Sequence, residues 1–360
     1  MRRFLSAAFL ILLSVVLTAC GQGKPANFET SGAEPKSSGT EQTSAKAPSE
    51  RVVKGDVTVY SSASQEVLDM LTAGLKAKYP DLNVHFVYGG TEELVDKLSG
   101  EFAAGNVQAD AIMVGDPAYA EVLKNQGLLL PYVPAGADQV RFNKDPEGHY
   151  TAVRFIDVVL AYNTNLVKPE EAPKSFKELL DPKWKGQVSF SDPTKSGTSF
   201  VTVGALVQKY GWEYFEQAKA NEWQIGGGSS APNEALASGK AKIGIVVEYK
   251  YLSDKANGAP VQVIWPEEGP VIMESPWAIL KAAKNPEGAK AVADYMFTLE
   301  AQTILTKANM HPVISGITPP EGSRPASELA DIAFKIDWAK LAQEKGDIQD
   351  QFVQVVALKP

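Results

Sequence analysis

The chain has 360 residues, 44% of them hydrophobic and 22% charged, with a single cysteine. This is a water-soluble globular composition that excludes fibrous, disulfide-built and disordered classes, and the length suits two domains of roughly 100–200 residues each. A formal net charge of −8 gives no attraction for a polyanion, so nucleic acid is not expected as a partner.

Arg2 and Arg3 precede an uncharged apolar run, Phe4 to Ala19, whose 16 residues are too few to span a bilayer comfortably. Small residues close it, so residues 1–20 read as a secretory signal. Losing those two arginines takes the formal charge from −8 to −10. Leu17-Thr18-Ala19-Cys20 resembles the lipobox of bacterial lipoproteins, which implies that the Cys20 thiol is acylated and becomes the new N-terminus. A plain signal with an incidental cysteine is the alternative. With Cys20 lipidated, the mature chain has no thiol for a disulfide, a nucleophile or a thiolate metal site. Residues 21–53 are mostly Gly, Ser, Thr, Lys, Glu, Pro and Ala and bury too little apolar surface to offset their ordering entropy. They read as a flexible tether with an end-to-end distance of about 30 Å.

Order is expected from Asp56. Val57 to Tyr60 reads as a strand, Ser61 to Ser64 as a turn, and Val67, Leu68, Leu71 and Leu75 as one face of a helix that stops at Tyr79-Pro80. Asn83 to Val87, the Gly89-Gly90 turn and Leu94, Val95 and Leu98 repeat the unit, and Ala111 to Val114 with Val122-Leu123 give a third. Alternating strands and helices predict a mostly parallel sheet covered on both faces, an α/β fold. Beyond the Pro/Gly-rich stretch 131–148 come a strand over Phe155 to Tyr162, a short strand Val188 to Phe190, a Ser196-Gly197 turn and a helix through Phe200. A buried strand Ile243 to Val247 then leads to Glu248-Tyr249, Pro276 to Leu280 leads back towards the first domain, and the rest is expected to be helical, including one helix over Ile332 to Val356.

Five segments taken in order, Val57-Thr58-Val59-Tyr60-Ser61-Ser62, Gly89-Gly90-Thr91-Glu92-Glu93-Leu94, Leu180 to Gly186, Asp192 to Thr198 and Ala282-Ala283-Lys284-Asn285, resemble the extracytoplasmic substrate-binding proteins of ABC importers. The group they point to holds binders of ferric ion, organic phosphates and phosphonates. The resemblance implies a two-lobed periplasmic-binding-protein fold of the second type, hinge-linked, with the ligand in the interlobe cleft. It also implies a protein that captures a small anionic solute, an organic phosphate or phosphonate, and delivers it to permease subunits. The expected division is 54–155 with 272–360 as the first lobe and 156–271 as the second. The chain is expected to be a monomer, anchored outside the bacterial cell membrane by Cys20, with no cofactor and no catalytic role.

The residues agree with part of this. Ser61-Ser62, Thr91 and Ser196-Gly197-Thr198 stand at three turn-to-helix junctions, where unpaired N–H groups and the positive dipole end make an anion seat. Ser and Thr are also ordinary N-caps, so each junction has a purely structural reading. The ferric branch of the family has adjacent tyrosines after the strand matching Ile243 to Val247, often with a histidine at the first turn. This chain has Glu248-Tyr249-Lys250-Tyr251 and no histidine at Ser61 to Gln65. An ammonium opposes Fe(III), so Glu248 and Tyr249 are carried as solute contacts and ferric-ion binding stands as the alternative. A secreted lipid-anchored enzyme is a further alternative, although nucleophile–base and phosphate-cradling motifs are missing from the sequence; a receptor-docking sensor is another. His85, His149 and His311 lack metal-ligand spacing, Asp56, Asp110 and Asp116 read as caps, and Arg154 reads as one half of a structural salt bridge.

Overall fold

A computed structural model describes residues 53–140 and 144–356. Cys20, the signal and the tether lie outside the described residues, except Val53, which packs against the first core. The order is β1 (Gly55–Ser61), α1 (Gln65–Lys78), β2 (Leu82–Tyr88), α2 (Thr91–Ala103), β3 (Ala111–Met113), α3 (Pro117–Asn125), β4 (Leu129–Leu130) and β5 (Thr151–Asn163). Next come β6 (Val188–Phe190), α4 (Gly197–Tyr210), α5 (Glu213–Ala220), β7 (Gln224–Ile225), α6 (Ala231–Ala237), β8 (Ile243–Val247), α7 (Glu248–Ala256) and β9 (Val261–Ile264). The chain ends with β10 (Val271–Leu280), α8 (Pro286–Met296), α9 (Leu299–Lys307), α10 (Ala326–Ile332), α11 (Trp338–Gln343) and α12 (Lys345–Val356).

The described strands form one ten-stranded sheet in the order β2-β1-β3-β10-β5-β8-β6-β7, with β4 beside β10 and β9 beside β5. β1 is parallel to β2 and β3, and β6 is parallel to β7 and β8, as expected for strands that alternate with helices. Two long antiparallel strands, β5 and β10, cross between these halves. Their register shifts between Ser275 and Pro276, where proline has no N–H to give the ladder. Helices cover both faces of each half. Val57, Val59, Val67 and Leu71 meet α8 and α9 in one core, while Tyr60, Ile112 and Leu98 enter another on the opposite face. The β6–β8 half is likewise covered by Phe190, Phe200, Phe215 and Trp223 on one side and by Leu236, Tyr251 and Leu252 on the other. This is the expected two-lobed α/β architecture.

The C-terminal third departs from the sequence reading. The expected single helix over 332–356 is interrupted at 333–337, where Phe334 N–H bonds to the Pro270 carbonyl instead of continuing a helix. The expected division places 272–360 in the first lobe, yet Phe352 on α12 packs edge-on against Phe190 and Phe215, with ring centroids 6.5 and 5.0 Å apart. The start of α12 also reaches the first half. Lys345 Nζ lies 3.0 Å from Glu92 Oε1 and bonds to Asp116, while Gln349 donates to Glu92 and to the Pro193 carbonyl. Burial alone would lower the Lys345 ammonium pKa, but Asp116 and Glu92 raise it. The helix therefore straps the two halves together along one side.

Candidate functional site

In both halves the strands run so that their carboxyl ends, and the helix starts that follow, face one another. Ser62 and Ser64 sit between β1 and α1, Gly89 to Thr91 between β2 and α2, Gly115 after β3, Lys195 to Thr198 before α4, Gly228 to Ser230 before α6, and Tyr249 and Lys250 in the first turn of α7. With Tyr88, Arg154 and Ile156 they line a cavity of about 140 Å³. Each junction leaves N–H groups without an intrahelical partner, and the dipoles of several helices point at one space.

The sequence-predicted residues divide. Ser62 and Thr91 line the cavity, and their hydroxyls accept from Gly115 N–H at 3.0 and 3.3 Å, which ties three loops together. Ser196 caps α4 by accepting from Ser199 N–H at 3.3 Å, and its hydroxyl is 2.9 Å from that of Thr198. Capping and cavity lining are thus compatible, because both residues also face the space. Gly197 has a further reason to be glycine. A Cβ there would stand 2.7 Å from Thr91 Cγ2 and 3.0 Å from the Gly115 carbonyl oxygen, so a side chain would push the two walls apart. The walls meet at this point, and their close approach needs a residue without a side chain.

Two expected contacts lie elsewhere. Ser61 is fully buried and does not line the cavity; its hydroxyl accepts from Ala63 N–H at 3.1 Å and holds the turn. Glu248 is 1% exposed and turns away from the cavity to His311 and Ser323, while its neighbour Tyr249 lines the space. At the helical start of α7 Glu248 and Tyr249 point in different directions, so the two do not act on the cavity together. Of the candidate caps, Asp116 caps α3 by accepting from Ala118 and Tyr119 N–H, whereas Asp110 ties Thr58 and Asn285.

The largest correction is Arg154. It is 1% exposed, lines the cavity, and has no carboxylate partner among the described residues; one guanidinium nitrogen contacts Met310 Sδ at 3.0 Å and Nε bonds to nothing. Burial pushes its pKa down while Tyr249 pushes it back. Lys195 and Lys250 add positive charge at the rim, and the cavity lining includes no aspartate, glutamate or histidine among the described residues. An uncompensated buried charge is unfavourable by several kcal/mol. Sequence reading missed the Gly228-Ser229-Ser230 junction although it repeats the Gly/Ser-before-helix pattern used elsewhere.

A family model described as bacterial extracellular solute-binding protein matches residues 107–344. The chain belongs to this family. It is 28% identical over 323 residues to an uncharacterised protein of Haemophilus influenzae, covering 85% of this chain and 92% of that one. It is 27% identical to iron uptake protein A1 of Synechocystis over 340 residues, covering 88% of this chain and 87% of that one. Identity to a putative 2-aminoethylphosphonate-binding periplasmic protein of Salmonella typhimurium is 23%, over 70% of this chain and 76% of the other. Among solved structures, the periplasmic binding protein AfuA of Actinobacillus pleuropneumoniae with fructose-6-phosphate superposes at a TM-score of 0.77 with 24% identity, covering 85% and 100% of the two chains. Iron-bound HitA of Pseudomonas aeruginosa gives 0.73 with 22% identity, covering 82% and 99%. The solute-binding protein described here is therefore an extracytoplasmic component of an ABC importer with the fold of that family. Among its described residues no helix is long and apolar enough to cross a membrane.

Proposed function

We propose that this solute-binding protein is a lipid-anchored, monomeric capture protein for a small organic phosphate or phosphonate, which it encloses by hinge closure and passes to the permease. The observation that carries this is the buried, unpaired Arg154 in a cavity ringed by helix starts. A guanidinium pairs bidentately with two oxyanion oxygens, and backbone N–H groups take the rest. With no acidic group in the described lining, a solute whose remainder is neutral and hydroxylated fits better than one bearing an ammonium group. The fructose-6-phosphate held by AfuA is of that chemical class.

Ferric ion is the weaker reading despite the iron-related relatives. Tyr249 faces the cavity, but Tyr251 is 1% exposed inside a separate core, so the two phenols do not converge on one ion. Arg154, Lys195 and Lys250 add three like charges around the place where Fe(III) would sit. Binding without turnover is the matching functional reading, with closure serving capture.

A thermal-shift panel of sugar phosphates, phosphonates, phosphate, sulfate and Fe(III) tests the assignment, since a ligand at 100 times its Kd adds about 2.7 kcal/mol of stability. A sugar phosphate is expected to give the largest shift; a shift from Fe(III) alone contradicts the proposal. For the anchor, Cys20→Ser is expected to leave a folded domain that no longer sediments with membranes; a mutant that still sediments removes the lipid attachment.

A further inference from the structure

Behind the cavity, on the other face of β5, three ionisable side chains that are far apart in sequence meet in the interior. Arg154 and Ile156 line the cavity, so Asp157 points the opposite way. It meets Glu248 from the first turn of α7 and His311 from the segment after α9; their exposures are 1%, 1% and 2%. His311 Nε2 lies 2.8 Å from Asp157 Oδ2, 2.8 Å from Glu248 Oε2 and 2.9 Å from Ser323 Oγ. One backbone and one side-chain bond support this arrangement: Phe155 N–H bonds to the His311 carbonyl at 3.4 Å, and Ser323 Oγ donates to Glu248 Oε1 at 2.8 Å.

The cluster is short of positive charge. With a neutral imidazole it carries two negative charges in a site closed to water, which is unfavourable unless two positive charges join it. Nε2 bears one hydrogen at most and is surrounded by three oxygens. Asp157 Oδ2 has only the shared His311 Nε2 within reach, and His311 Nδ1 has no hydrogen-bond partner among the described residues.

We propose that Asp157, Glu248 and His311 form a structural site for one first-row divalent cation, Zn²⁺ being the type, seated behind the crossing strands and separate from the solute cavity. A divalent ion supplies both missing charges and bonds all three donor atoms at once, which a shared proton does not. One imidazole and two carboxylates are the donor set of borderline ions such as Zn²⁺, Mn²⁺ and Fe²⁺, whereas Ca²⁺ takes six to eight oxygens. The three donor atoms already lie within 4.8 Å of one another. Ligands about 2.1 Å from Zn²⁺ lie about 3.0–3.4 Å apart, so the two 2.8 Å spacings from His311 Nε2 have to widen by only a few tenths of an ångström. The bound ion ties β5, the start of α7 and the segment after α9 to one point, with Ser323 beside it. Asp145, Glu147 and His149 also come together near the surface, but there Lys124 Nζ, 2.6 Å from Asp145, already provides a positive charge.

The full chain, stripped with a chelator, is titrated with Co²⁺ alone, whose ligand-field absorption reports coordination, and then with competing Zn²⁺. One equivalent is expected to bind wild type and His149→Gln, and at least tenfold weaker binding is expected in His311→Gln and Glu248→Gln, each first shown to be folded by circular dichroism. X-ray absorption of Zn²⁺-loaded His149→Gln requires no change to the buried cluster and is expected to show one imidazole among nitrogen and oxygen ligands. The proposal is overturned by no stoichiometric end point in wild type, by its loss in His149→Gln, by its retention in folded His311→Gln, or by a zinc spectrum without imidazole. The cluster is then balanced by protons.

Discussion

The two faces of β5 present opposite problems in electrostatics. On the cavity face Arg154 is buried without a counter-charge, beside Lys195 and Lys250 and among helix starts. Three residues further along, on the back face, Asp157 is equally buried and faces another carboxylate and an imidazole. The period-two alternation of a strand puts these groups back to back. The contrast teaches that one strand can carry a buried positive charge without a carboxylate partner on one face and gather two buried carboxylates around a single imidazole on the other.

The comparison breaks most visibly at Arg154. Arg154→Met is expected to weaken solute binding by at least a hundredfold, roughly the loss of two charge-assisted hydrogen bonds. The unliganded protein should unfold at the same denaturant concentration as wild type or higher, because an unpaired buried charge has gone. Reduced stability with unchanged affinity would make Arg154 a purely structural residue.

Next comes Gly197→Val. Its Cβ would meet Thr91 Cγ2 at 2.7 Å, so the walls should not seal. Solute affinity is expected to fall about a hundredfold, and small-angle scattering should show no decrease in radius of gyration on adding an organic phosphate. A wild-type decrease in the variant would mean that closure does not pass through this contact.

Ser196→Ala and Thr198→Val are expected to weaken binding about ten- to a hundredfold each. If these residues served only as caps, calorimetric titration would give wild-type affinity alongside about 1 kcal/mol of lost stability. The smallest expected signal is a null. Protein mixed with Fe(III) should show no visible phenolate charge-transfer band, and a band that disappears in Tyr249→Phe would reverse the order of phosphate and iron.

The parallel pairing within each half, the two lobes and three of the cavity-lining junctions are legible because they depend on local signals: alternating apolar runs, Gly-Gly turns and hydroxyl residues before helices; the antiparallel β5 and β10, which make the sheet mixed, carry no such signal. What escaped depends on where the chain goes next. Arg154 looked like half of a salt bridge because sequence does not say that its neighbours are Met310 and a cavity. Glu248 and Tyr249 are adjacent, yet one helical step sends Glu248 to His311, 63 residues away, and leaves Tyr249 at the cavity. His311 looked isolated for the same reason. Phe352 reads as an ordinary helix residue, and only the fold shows it closing the core of the β6–β8 half.

The measurement closest to the central claim is a paired calorimetric titration of the wild-type protein with a sugar phosphate and with its unphosphorylated parent sugar. If the buried guanidinium and the helix starts seat an oxyanion, the phosphate ester binds at least a hundredfold more tightly, a difference of roughly 3 kcal/mol or more. Equal affinity for the neutral sugar would contradict the account, because Arg154 would then remain uncompensated in the bound state.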